Sequence, residues 1–123
     1  MSAALTFIAP PPGLAPHVEF ALTPVDGSDG LFTMRAVDDS DLRLFLVDPQ
    51  TVLTEYAPTL TDDQTAALEL ESPDDALLLV VAHPSADGVS VNLLAPVVVN
   101  RGTGVASQVI LEDQDYPLRA PLV

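Results

Sequence analysis

A chain of 123 residues that is 48% hydrophobic has enough apolar side chain for a real core, so wholesale disorder is excluded and one domain, residues 1–123, is expected. Eighteen acids face four arginines (Arg35, Arg43, Arg101, Arg119) and no lysine, and the net charge of -14 excludes direct binding to nucleic acid or to an anionic membrane. With no cysteine, a disulfide scaffold, a thiolate metal site and a cysteine nucleophile are excluded as well.

The opening MSAALTFIAPPPG lacks the basic region and long apolar stretch of a signal peptide. Leu5–Ile8 reads as a first strand, stopped by the proline cluster Pro10–Pro12 and Gly13. In Val18–Leu22 the residues Val18, Phe20 and Leu22 alternate with Glu19 and Ala21, the period-two pattern of a half-buried strand. Pro24–Gly30, with Asp26-Gly27 and Asp29-Gly30, is a turn-rich connection. Leu31–Val37 and Leu42–Val47 flank the acidic turn Asp38-Asp39-Ser40-Asp41 and read as a hairpin. Thr61-Asp62-Asp63-Gln64 offers a helix N-cap with acids in the first turn, and the helix is expected to run near Asp62–Leu70 until Ser72-Pro73 stops it. Strand character returns in Ala76–His83, Val89–Leu94, Val97–Asn100 and Val105–Glu112, and Tyr116–Val123 is expected to lie extended across the body. The longest apolar run, Ala76–Ala82, is far short of the ~20 residues a membrane helix needs, which points to a soluble, cytoplasmic protein. The fold class that follows is mainly β: a compact, antiparallel, barrel-like single domain with one short helix.

The residue patterns that carry chemistry are weak throughout. His17 and His83 stand far apart and outside any metal-ligand spacing. The acid groups at Asp26–Gly30 and Asp38–Asp41 lack the alternating oxygens and terminal glutamate of a calcium loop, so turn chemistry accounts for them. Gly102-Thr103-Gly104 has no following helix or lysine to make a phosphate cradle, and Gly88–Asn92 lacks the second glycine of a nucleophile elbow. The sequence supports no catalytic residue, cofactor or metal, which leaves interaction. A basic protein partner would explain the charge, and so would an acidic, lysine-poor proteome.

The stretch VNLLAPVVVN, Val91–Asn100, sharpens the interaction reading. Pro96 cannot donate to a ladder, so the strand must bulge there or lie at a sheet edge. An edge this apolar needs a cover, and a peptide partner would supply one. An inner strand whose asparagines cap turns is the competing reading. On the first reading Asn92, Leu94, Pro96, Val98 and Asn100 form the contact surface, with Leu93, Ala95, Val97 and Val99 facing the core unless a bulge at Pro96 switches the phase. A small-ligand or carbohydrate-binding barrel is a further alternative, weakened by a content of four phenylalanines, two tyrosines and no tryptophan.

Several segments together resemble the flagellar assembly factor FliW family. Asn92-Leu93-Leu94-Ala95-Pro96-Val97-Val98-Val99-Asn100 is similar to that family's NLxAPxxxN segment. Phe7, Pro12-Gly13-Leu14 and Phe20-Ala21-Leu22 resemble its opening; Leu42–Val47 with Asp48-Pro49 and then Tyr56 resembles its apolar strand ending in DP; and Gln108–Leu111, Tyr116 and Arg119 resemble its close. Pro10 stands where a first glycine is usual, and Arg35-Ala36 where a glutamine-serine pair is common. The resemblance implies a non-enzymatic, barrel-like protein, monomeric when free. It would bind CsrA, a dimeric RNA-binding repressor of flagellin translation, and also flagellin itself, in the manner of a chaperone. It also adds Phe45, Asp48 and Tyr56 as candidate partner contacts.

Overall fold

The computed structural model describes residues 3–11, 13–27, 30–39, 41–52, 56–86, 88–111 and 114–121. Pro12, Ser28, Asp29, Ser40, Glu112 and Val123, which the sequence reading touches, lie outside the described residues. Nine strands form one sheet: β1 Ala3–Phe7, β2 Glu19–Pro24, β3 Leu31–Ala36, β4 Arg43–Val47, β5 Ala76–Ser85, β6 Gly88–Val91, β7 Val97–Asn100, β8 Val105–Gln108 and β9 Ala120–Pro121. Helix α1, Pro49–Val52, and helix α2, Asp62–Ala67, lie between β4 and β5. The order β4-β3-β2-β1-β8-β7-β5 closes on itself through a β4–β5 pairing, giving a seven-stranded barrel with β6 and β9 as an extension on β5. Closure removes the free edges that an apolar sheet could not leave exposed.

The β3–β4 hairpin forms as expected, with Leu31 opposite Val47 and Arg35 opposite Arg43. The alternation in the second segment also holds, since Phe20 and Leu22 are buried while Glu19 and Thr23 are exposed. All pairings are antiparallel except β1–β8, which runs parallel with Thr6 opposite Val105 and Phe7 opposite Ala106. At this junction Gly104 adopts φ +81°, and a Cβ on it would lie 2.6 Å from the Ala4 carbonyl oxygen. Only glycine satisfies both conditions.

Inside the barrel the inward side chains of all seven strands make one cluster, which includes Phe20, Met34, Leu46, Leu79 and Val97, each with no exposed surface. Phe7 and Phe20 meet edge to face there, 5.4 Å between centroids. The lumen is therefore a packed core. Two further clusters lie on the outside of the β5 region. One gathers Val47, Tyr56, Val80, Ala82, Val91 and Leu93; the other packs Leu68, from just past α2, against Val98, Val109 and Leu111.

β5 explains the unbroken apolar run Ala76–Ala82. Its Leu77, Leu79 and Val81 belong to the lumen cluster, while Leu78, Val80 and Ala82 face the outer clusters. A strand covered on both faces has no polar side to alternate with.

The expected edge at Val97–Asn100 is not an edge. β7 lies inside the wall, between β5 and β8, and both of its faces are covered. The bulge reading is the one realised. Ala82 pairs with Val91 and Leu79 with Val97, so three steps along β5 face six along the opposite chain, and the excess is extruded around Asn92–Pro96. The missing N–H of Pro96 falls where the ladder is already interrupted.

The helix is shorter than expected, six residues rather than a run to Leu70. Its start is as read: the Thr61 hydroxyl accepts from the Gln64 amide and the Gln64 side chain accepts from the Thr61 amide. Its end comes before the Ser72-Pro73 stop. Glu69 turns left-handed at φ +56°, the Leu70 amide donates to the Thr65 carbonyl, and the Glu69 amide donates to the Ala66 carbonyl. That is the Schellman arrangement, with glutamate where glycine is usual.

Candidate partner-binding surface

The bulge at Asn92–Pro96 is held by a set of hydrogen bonds that leaves none of its inner carbonyls unpaired. The Asn92 carboxamide oxygen accepts from the Leu94 and Ala95 amides, at 3.1 and 3.0 Å, while the Asn92 backbone N–H donates to the Val81 carbonyl. The Leu93 carbonyl accepts the Tyr56 hydroxyl at 2.6 Å, that of Leu94 accepts the Leu111 amide, that of Ala95 accepts Gln108 Nε2, and that of Pro96 accepts the Val109 amide. A chain excursion this short survives burial only because its polar groups are satisfied.

At the other end of β7, Asn100 is 6% exposed and is the buried polar residue of the described core. Its Nδ2 donates to the carbonyls of Leu68 and Glu69, at 2.9 and 3.3 Å, and its Oδ1 accepts from the Gly102 and Thr103 amides. It ties the C-terminus of α2 to the β7–β8 turn and supplies donors to carbonyls the helix leaves over. An exposed contact amide, the expectation for this position, is corrected by that burial.

The remaining sequence candidates divide by accessibility. Pro96 and Val98 are fully buried, Val98 under Leu68. Tyr56 is buried beside Phe45 in the outer cluster and stacks edge to face on Tyr116 at 4.8 Å. Burial, with a smaller contribution from Tyr116, raises the Tyr56 hydroxyl above the ordinary tyrosine range. Asn92, Leu94, Phe45 and Asp48 are half-buried and reach the surface. The Arg43 guanidinium lies 5.2 Å from the centre of the Phe45 ring. Asp48 caps α1: its Oδ1 accepts from the Gln50 amide, with Pro49 at the first helical position. The Asp-Pro pair thus has a local structural reason.

The structure also forms a feature that sequence reasoning missed, a cleft of about 630 Å³ between the chain leading into α2 and the outer face of β5. Tyr56, Leu60, Leu70, Ala76 and Leu78 give it apolar walls, while Gln50, Thr59 and Glu71 are polar at its lining. One wall is pinned by the C-terminal segment, because Gln114 exchanges two 2.8 Å bonds with the Thr59 backbone. Leu60, Leu70 and Leu78 lie in separate elements, so no periodicity in the sequence groups them. Among the described residues no group of three or more histidine and acid side chains could hold a metal, and no helix is long and apolar enough to cross a membrane.

The FliW protein family model matches residues 1–122. The chain belongs to the FliW family. Relatives described as flagellar assembly factor FliW include one from Carboxydothermus hydrogenoformans, 34% identical over 113 residues that cover 90% of this chain and 73% of that protein. Another, from Desulfitobacterium hafniense, is 33% identical over 113 residues, covering 90% and 74%. A crystal structure of the flagellar assembly factor FliW shares the fold, with a TM-score of 0.90 at 24% identity over 98% of this chain and 85% of that one. In this FliW-family chain the NLxAPxxxN segment spans the bulge and the whole of β7, from the Asn92 cap to the Asn100 tie.

Proposed function

We propose that this chain is a non-catalytic flagellar assembly factor of the cytoplasm, a monomer when free, that binds the translational repressor CsrA and flagellin in competition. Free flagellin would then release CsrA to shut down flagellin synthesis. The family match over residues 1–122 is the observation that carries this reading. Two physical features support it. The charge of -14 opposes RNA and membrane phosphates but favours encounter with a basic RNA-binding protein. The lumen is filled by side chains such as Phe20, Met34 and Leu46, so a small ligand would have to bind outside the barrel.

Among the candidate contacts, Phe45, Asp48, Asn92 and Leu94 touch a partner in this proposal, Tyr56, Pro96 and Val98 support that surface from beneath, and Asn100 ties the far end of β7 to the turn after α2. Titration calorimetry with purified CsrA and purified flagellin tests the reading. Both proteins should bind, and prior saturation with flagellin should abolish the CsrA signal. No heat from either partner overturns it. Association with CsrA should also slow as salt rises past the point where the Debye length is ~8 Å, with little change in dissociation.

A further inference from the structure

The cleft between α2 and β5 has a chemistry specific enough to define what it takes. Its apolar walls, Tyr56, Leu60, Leu70, Ala76 and Leu78, belong to the outer face of the barrel. At about 630 Å³ it lies within the ~300–1,000 Å³ of preformed ligand sites. No arginine lines it among the described residues. Among the described residues the carboxylate in the lining is that of Glu71, and Glu69 and Asp74, both exposed, stand within three residues of it in the chain. The Asp75 carboxylate accepts from the Glu71 and Ser72 amides, which fixes the backbone that carries Glu71. Apolar walls with the Glu71 carboxylate among them, and further exposed acids beside Glu71 in the chain, call for an occupant with apolar anchors and cationic donors.

We propose that this cleft is the docking groove for a cationic amphipathic segment of a partner protein, its apolar side chains against Leu60, Leu70 and Leu78 and a lysine or arginine on Glu71. The inference deepens the reading above, in which the chain is a partner-binding regulator, by assigning it a surface and a partner chemistry. The groove is held open before binding, since Gln114 pins Thr59 and the Tyr56 hydroxyl is anchored on Leu93. The ordering cost of forming it is therefore met on folding.

The test is amide chemical-shift mapping of the full chain with three synthetic 14-residue peptides. One carries leucine at i, i+3, i+4 and i+7 with lysine elsewhere. The second replaces every lysine by glutamate, and the third replaces every leucine by serine. The lysine–leucine peptide should shift Ala57, Thr59–Leu60, Leu70–Ser72, Ala76 and Leu78, and the other two should shift none of them. Glu71→Lys should weaken the lysine–leucine peptide about tenfold, since attraction becomes repulsion, while Glu19→Lys on β2 leaves it unchanged. Shifts spread over remote acids such as Glu19, Asp38 and Asp41, equal binding of the serine peptide, or equal weakening by both charge reversals would overturn the groove. If CsrA and flagellin bind but the peptide does not, the groove fails and the regulator reading stands. If the peptide binds in the groove and neither protein binds, the regulator reading fails and the groove stands.

Discussion

Strands β2 and β5 belong to the same barrel, yet β2 turns Glu19 and Thr23 to solvent on either side of Phe20 and Leu22, while β5 exposes almost nothing from Leu79 to Ala82. β2 has one covered face and β5 has two, the second lying under Tyr56, Leu93 and the segment around α2. The difference teaches where the molecule keeps its core. A barrel of this size fills its lumen with one inward row per strand, and the FliW-family chain adds a second layer on one side of the wall. That side carries the bulge, the Asn100 tie and the cleft.

The widest test of this comparison is truncation in each layer. Phe20→Ala, in the lumen, should cost about 3–5 kcal/mol, and Leu68→Ala, in the outer layer, about 2–5 kcal/mol. Thr23→Ala, on the exposed face of β2, should stay within ~0.5 kcal/mol. Urea denaturation of the three variants decides the matter. If Leu68→Ala costs no more than Thr23→Ala, the outer layer is a loose cover and not a second core.

Asn100→Ala comes next. It removes a donor shared by two carbonyls and an acceptor shared by two amides, all partly or wholly buried, and should cost ~1–3 kcal/mol. With 6% of its surface exposed, Asn100 should have no direct part in binding, so under the proposed function the affinity for CsrA per folded molecule should be unchanged. A melting temperature that holds while affinity falls would make Asn100 a contact residue and reverse its placement here.

Tyr56→Phe sharpens the same layer through pH. The substitution leaves the Leu93 carbonyl without its donor, at a cost of ~1–2 kcal/mol near neutrality. Because burial raises the folded-state pKa of Tyr56, its contribution is fully present below the unfolded tyrosine pKa of ~10 and is lost as pH climbs above it. The wild type should therefore lose stability more steeply than Tyr56→Phe above about pH 10. Parallel stability curves through that range would show that the hydroxyl titrates as if exposed.

The same contrast governs how much of this protein can be read before folding. Phe20 and Leu22 declare their face by alternation, and Thr61 and Gln64 declare a helix start by chemistry that lies within four residues. Pro96 announces an interruption in a strand, and the bulge is there. What Pro96 cannot announce is whether the flanking strand is inner or outer, since that depends on β8 closing beside it. Asn100 misleads for a related reason. A polar residue ending an apolar run looks solvated unless the carbonyls of Leu68 and Glu69, some thirty residues earlier, are known to end above it. The cleft is the extreme case, because its walls come together only in the folded chain.

Glu69→Gly makes a small expected change, and it acts in the stabilising direction. Glu69 occupies φ +56° at the residue after the helix cap, where a Cβ is strained and glycine is not. The Glu69 side chain is exposed, so its loss removes no buried contact. The backbone bonds that define the helix end, Leu70 amide to Thr65 and Glu69 amide to Ala66, are kept. Glycine makes the unfolded chain more flexible, which offsets part of the relief, so the net gain should be about 0.5–1 kcal/mol, or a few degrees in melting temperature. Since Leu68 is the outer-layer residue next to this turn, any gain should vanish in the Leu68→Ala background if that truncation lets the helix end come away from Asn100. Full additivity of the two changes would mean that the helix end keeps its geometry without Leu68, and that Asn100 alone holds the second layer to the barrel.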